Sequence, residues 1–328
     1  MTWRPAPVSR RAREDVVLAS AKVNRYAAID VGTNSVLLLV AERHADGRFT
    51  AVEERSEITR LGKGVDQSKT LATDAIETTL RVLEKFAQDA RALGARGMVA
   101  TATSAARDAT NGKVFLDGAK TRAGLTVEII SGEEEARLSF ASAFSDFGGK
   151  GPLVVLDIGG GSTEFIYGTL KGEVSFRHSF DVGSVRLTER YVKTDPPSHA
   201  ELESIDAMLT KTFCALPAPP AGFQMVGVAG TVTTICAVAR RVEPYDPTLI
   251  HGASLRLDEV NAAVTRLASL PTSLRKTVPG LQPKRADVIV AGGFILRAAM
   301  RALSVNETVV SDRGLRWGLL ADRFGSAK

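Results

Sequence analysis

A motif written twice constrains this chain more than any other feature. Ala27-Ala28-Ile29-Asp30-Val31-Gly32-Thr33-Asn34-Ser35 is echoed by Val155-Leu156-Asp157-Ile158-Gly159-Gly160-Gly161-Ser162-Thr163. In each copy an apolar strand reaches an aspartate, turns through glycine and short polar residues, and returns as a strand, Val36 to Val40 or Glu164 to Tyr167. A single copy is explained by a plain tight turn. Two copies, with Asp30 and Asp157 standing 127 positions apart in 328 residues, predict two similar α/β domains facing one cleft.

The composition of the turns points to phosphate. Glycines let the backbone approach closely and converge its N–H groups on an anion, and Ser and Thr hydroxyls add donors. Gly32, Thr33, Asn34 and Ser35 on one side, and Gly159, Gly160, Gly161, Ser162 and Thr163 on the other, are therefore the candidate phosphate ligands. An aspartate beside bound phosphate repels it unless a divalent cation lies between them, so Asp30 and Asp157 imply Mg²⁺ or a similar ion such as Mn²⁺. Glu164 is a third candidate ligand, although strand alternation alone leaves it facing either the metal or solvent.

A catalytic carboxylate is expected between the two motifs. Val127 to Ile130 reads as a strand, and Ser131 followed three residues later by Glu134 is a capping box that starts a helix. Glutamates 133 to 135 also suit the positive helix N-terminus, which is the plain explanation of the cluster. With Glu134 engaged in the cap, Glu135 points about 100° further round the helix and is free to act as a general base.

The paired Asp-Gly turns resemble those of the actin-like ATPase superfamily, which implies two ribonuclease H-like domains about an inter-domain cleft. Val226 to Thr234, with Gly230 and Thr231, is similar to that superfamily's later glycine-rich phosphate loop, and Ala291 to Leu296 to a loop-to-helix junction. A closer resemblance rests on Ile129 to Leu138, Ala100 to Asn111, Asp157 to Thr163 and Val310 to Arg316. Together these look like the exopolyphosphatase and guanosine pentaphosphate phosphatase family, over about Asn24 to Leu320.

That resemblance implies release of terminal orthophosphate from inorganic polyphosphate, guanosine pentaphosphate, or both. Glu135 would activate water, Arg107 would contact phosphate and Asp157 would support Mg²⁺. A surface ion pair with Asp108 is the alternative use of Arg107. The resemblance further implies a homodimer, a place in the stringent response, and guanosine penta- or tetraphosphate as substrate or inhibitor. Thr33 and Val36 depart from the serine and phenylalanine common in the family, and the length matches the short two-domain form. Competing expectations are a small-molecule kinase of the same superfamily and a non-catalytic alarmone sensor.

The domains are expected at 22–147 and 148–312, with Gly148 to Pro152 as linker, 1–21 as a flexible basic extension, and 313–328 returning as a helix to the first domain. Hydrophobic residues at 44% and charged residues at 24% fit a globular chain, and no run of about 18 apolar residues exists to span a membrane. The net charge of +5 favours anionic partners. The basic residues are scattered and lack an interleaved aromatic motif, which argues against nucleic acid. Cys214 and Cys236 lie in apolar stretches and suit buried reduced thiols in the cytoplasm. His44, His178, His199 and His251 lack metal-ligand spacing.

Overall fold

The computed structural model describes residues 24–325, so the extension expected at 1–21 lies outside the described residues. Two mixed sheets form the frame. The first contains β1 (Arg25–Val31), β2 (Ser35–Arg43), β3 (Phe49–Ile58), β4 (Ala95–Ala102) and β5 (Val127–Ile129) in the order β3-β2-β1-β4-β5. The second contains β6 (Leu153–Ile158), β7 (Thr163–Gly168), β8 (Val174–Phe180), β9 (Gln224–Val228), β10 (Ser254–Arg256) and β11 (Glu307–Val310), in the order β10-β11-β9-β6-β7-β8.

Each repeated motif is an antiparallel hairpin, β1–β2 and β6–β7, whose first strand also pairs in parallel with a neighbour, β4 or β9. The aspartates therefore lie at the ends of central strands whose neighbours supply helices. One of these is α1 (Thr73–Ala92), which buries Ile76, Leu80, Leu83, Phe86 and Ala87 at helical spacing against the first sheet.

Five further helices position the site: α2 (Ser104–Asp108), α3 (Gly132–Phe147), α4 (Ser184–Tyr191), α5 (Ala229–Arg240) and α6 (Ile289–Ala302). The last helix, α7 (Leu315–Phe324), packs on α3 and β1, and buries Leu315, Leu319 and Leu320 with Ala28, Leu39 and Leu138. Helix α3 is shared between the sheets. Its Leu138 faces the first, whereas Ala136, Phe140 and Ala143 pack on Leu153, Val155 and Ile166 of the second.

Several expectations require correction. Gly292 and Gly293 form no loop junction but lie inside α6, because Thr231 and Val264 pack where a Cβ would stand. Val226 to Thr234 contains no open loop either; β9 passes directly into α5 through Ala229, whose φ of 70° is left-handed. Cys214 is exposed and only Cys236 is buried, both as free thiols. Among the described residues, no helix is long and apolar enough to cross a membrane.

Candidate active site

The two hairpin turns meet at the centre of the molecule. Their geometry is nearly the same: Gly32 N donates to Ser35 O at 2.9 Å, and Gly159 N donates to Ser162 O at 3.0 Å. Those two amides are engaged in closing the turns and are not free for phosphate. The tips interlock across the domains. A Cβ on Gly160 would meet Thr33 Cβ at 2.9 Å, and one on Gly161 would meet Ser104 Oγ at 2.5 Å.

Beside the contact opens a cleft of about 410 Å³. Its walls include Asp30, Gly32, Thr33, Asn34 and Ser35 from the first half, Asp157, Gly159, Gly160, Ser162, Gly230 and Thr231 from the second, and Glu135 between them. Asn34 turns a buried Nδ2 with no partner into this region, a donor available to an anion. Thr33 Oγ1 hydrogen-bonds Ser104 Oγ at 2.8 Å. The start of α5 also faces the cleft through Gly230 and Thr231, so its unpaired amides and positive dipole end are directed there.

Four nominated residues do not line the cleft. Gly161 lies at the domain contact, with its carbonyl accepting from Arg186 Nε at 2.7 Å. Thr163 is fully buried and its hydroxyl donates to Val182 O. Arg107 stands behind Glu135, donating to Ile130 O at 3.0 Å, with Nη1 3.7 Å from Glu135 Oε2. That spacing is an ion pair too long for a hydrogen bond. Asp108 pairs instead with Arg186.

Glu164 is the fourth. It is fully buried directly across the ladder from Asp157, so it does not face solvent. Ser179 Oγ donates to its Oε1 at 2.7 Å.

Helix α3 starts on half of the expected capping box. Ser131 Oγ accepts from Glu134 N at 3.1 Å, but the Glu134 carboxylate turns to Arg137 at 2.7 and 2.8 Å rather than back to the cap. Glu133 pairs with Arg177 at 2.9 Å. Glu135 alone of the three is buried and faces inward. One helical turn on, Ser139 Oγ donates to Asp157 Oδ2 at 2.6 Å, so a single helix face carries one carboxylate and orients another.

Four buried carboxylates, Asp30, Glu135, Asp157 and Glu164, thus lie near one another. Burial pushes the Asp30 carboxyl up to about 7, opposed by Arg316 and reinforced by Asp157. Burial raises Glu164 to about 8, with Asp157 adding to the shift. Asp157 is raised by burial and partly relieved by Ser139. Glu135 is driven well above the ordinary carboxylate range by burial and then by Glu164, Asp157 and Asp30, with Arg107 acting against them.

A divalent cation suits this donor set. Asp30 Oδ1, Glu135 Oε2 and Glu164 Oε2 are buried with no hydrogen-bond partner, and their mutual repulsion is what a cation relieves. Among the described residues no three acidic, His or Cys side chains converge tightly enough to enclose an ion, so water and phosphate oxygens would complete its shell.

Sequence reasoning missed Arg285, Arg316 and Ser139. The first two line the cleft, where the Arg285 guanidinium packs on Gly230 and Arg316 pairs with Glu54 at 3.2 Å. No local spacing gives them a role, although Arg316 ends the Val310 to Arg316 stretch that carries the family resemblance.

The Ppx/GppA phosphatase family matches residues 39–327 of this chain. The chain belongs to the Ppx/GppA phosphatase family. A Mycobacterium tuberculosis relative named exopolyphosphatase 2 is 35% identical over 92% of this chain and 99% of its own length. A Vibrio atlanticus relative named guanosine-5'-triphosphate,3'-diphosphate pyrophosphatase is 29% identical, over 91% of this chain and 60% of that protein. The crystal structure of the Aquifex aeolicus Ppx/GppA family member superposes with a TM-score of 0.77 at 33% identity, covering 92% of this chain and 97% of that one. The Ppx/GppA architecture, two actin-like domains about a cleft, is thus the architecture of this protein.

Proposed function

We infer that this Ppx/GppA protein releases terminal orthophosphate from inorganic polyphosphate, guanosine pentaphosphate, or both, with Glu135 as the general base. The observation that carries this is the Glu135 carboxylate: buried, inward-facing, with an unpartnered Oε2, between two glycine turns and 3.7 Å from Arg107. The relatives named exopolyphosphatase and guanosine pentaphosphate pyrophosphatase support the substrate class.

Phosphoanhydride hydrolysis calls mainly for alignment and charge neutralisation. Asn34 Nδ2, the free turn amides and the start of α5 would hold terminal phosphate oxygens. Glu135 takes a proton from water as the water oxygen bonds to the terminal phosphorus. The bridging P–O bond breaks, and the electron pair leaves with the shortened chain. Arg107, which stands outside the cleft, stabilises ionised Glu135 from behind. Asp157, with Asp30 and Glu164 directly or through water, would hold Mg²⁺ or Mn²⁺, which when bound supplies charge neutralisation at the phosphate oxygens. Since Glu135 accepts a proton only when ionised, cation binding and base activation are linked through the shared carboxylates.

The test is Glu135→Gln, assayed for phosphate release from short polyphosphate, long polyphosphate and guanosine pentaphosphate with and without Mg²⁺. Turnover should fall by about 10²–10⁴-fold with binding retained. Turnover within a few-fold of wild type removes Glu135 from the chemistry.

A further inference from the structure

We propose that Arg186 is a positioning residue that holds the two halves in register for the reaction, tying the second glycine turn to the Arg107 turn of the first half. This builds on the hydrolase reading of the cleft, and concerns alignment rather than chemistry.

The contacts form one chain. Three amides at the start of α4 bind the second turn: Ser184 N to Gly159 O at 3.0 Å, and Val185 N and Arg186 N to Gly160 O at 2.9 and 3.1 Å. Turn and helix therefore move together. The Arg186 side chain, 7% exposed, donates from Nε to Gly161 O at 2.7 Å and then crosses to the other half. There Nη1 meets Asp66 Oδ1 at 2.5 Å and Nη2 meets Asp108 Oδ2 at 2.6 Å. Asp108 is the residue after Arg107, whose guanidinium stands beside Glu135.

The rest of α4 reinforces the crossing. Asp66 also accepts from Arg190 at 2.5 and 2.7 Å, and Glu189 Oε1 accepts from Gly64 N at 2.8 Å. Hydrogen bonds from Arg190 and Arg186 hold the Asp66 carboxyl down at about 2, so the acceptor stays charged at any working pH.

A planar guanidinium satisfies three acceptors at fixed angles, which a lysine ammonium on a flexible stem cannot do. Misplacing a catalytic group by about 1 Å costs on the order of 10²-fold in rate. Loss of Arg186 therefore acts on kcat through the Arg107–Glu135 pair, without removing a group that touches substrate.

The experiment has two readouts. In the first, Arg186→Lys and Asp108→Asn are assayed on polyphosphate with Mg²⁺, with the thermal midpoint measured on the same samples. We expect kcat to fall about 10- to 100-fold while KM stays within about threefold. For Arg186→Ala, millimolar guanidinium should restore part of kcat and urea should not. In the second, spin labels at Lys85→Cys and Lys211→Cys, in a Cys214→Ser background, report the distance between the halves. The distribution should be single and narrow with Arg186 present and broadened or shifted with Arg186→Ala. Unchanged distances, or a kcat loss explained entirely by unfolded protein, would overturn the proposal. If the wild-type protein releases no phosphate, the hydrolase reading fails, and the label distances still decide whether Arg186 sets the register.

Discussion

Across the ladder from the aspartate stands Leu37 in the first hairpin and Glu164 in the second. The turns themselves match closely, with the same glycine-to-serine hydrogen bond and a Cβ at Gly32 or Gly159 meeting the serine carbonyl at 3.2 Å in both. The charge around them does not match. Asp30 has an apolar cross-strand neighbour and an opposing Arg316, whereas Asp157 has a second buried carboxylate beside it and a serine hydroxyl on its Oδ2. The two copies share their turn backbone, whereas the paired buried carboxylates belong to the second alone.

That asymmetry predicts unequal losses. Asp157→Asn should lower kcat on polyphosphate by about 10²–10³-fold and raise the Mg²⁺ midpoint, with Asp30→Asn about tenfold milder. Equal losses would mean the two copies share the cation evenly. Glu164→Gln should raise the Mg²⁺ midpoint about 10- to 100-fold, as removal of a supporting group does at metal sites, and an unchanged Mg²⁺ titration would detach Glu164 from the cation. Ser139→Ala takes away only the donor to Asp157, and an increase of about tenfold in the Mg²⁺ midpoint is expected.

The smallest effect is on stability without divalent cation. Asp30 and Glu164 keep protons in the folded protein, up to about 7 and about 8, that their unfolded forms release near pH 4. Their contribution is complete below pH 4 and is lost as the pH rises through those values. The thermal midpoint should therefore drop by about 2–5 °C between pH 6 and 9. Asp30→Asn should flatten the lower part of that slope and Glu164→Gln the upper part. A midpoint that stays level in chelator would show that both hairpins ionise freely.

Much of the frame is legible in the chain because it is local. Strand, glycine turn and returning strand are neighbours in sequence, and the α1 stripe and the Ser131 cap follow from spacing alone. The position of Glu135 was readable for the same reason, even though its neighbour Glu134 bonds Arg137 instead of completing the cap. Contacts between distant segments were not readable. Arg186 finds Asp66 120 positions away, and Ser139 finds Asp157 only because α3 is folded against β6. Glycine had two meanings that sequence could not separate: approach to a ligand, and approach of one element to another. Gly161, Gly292 and Gly293 belong to the second kind, since protein side chains occupy the places their Cβ atoms would take.

Helix α3 leaves the first sheet after β5 and ends just before β6 opens the second, packing on both along its length. Glu135 is thus mounted on the helix that bridges the halves rather than within either sheet. Because one helix rests on both sheets, the placement of Glu135 depends on both halves at once.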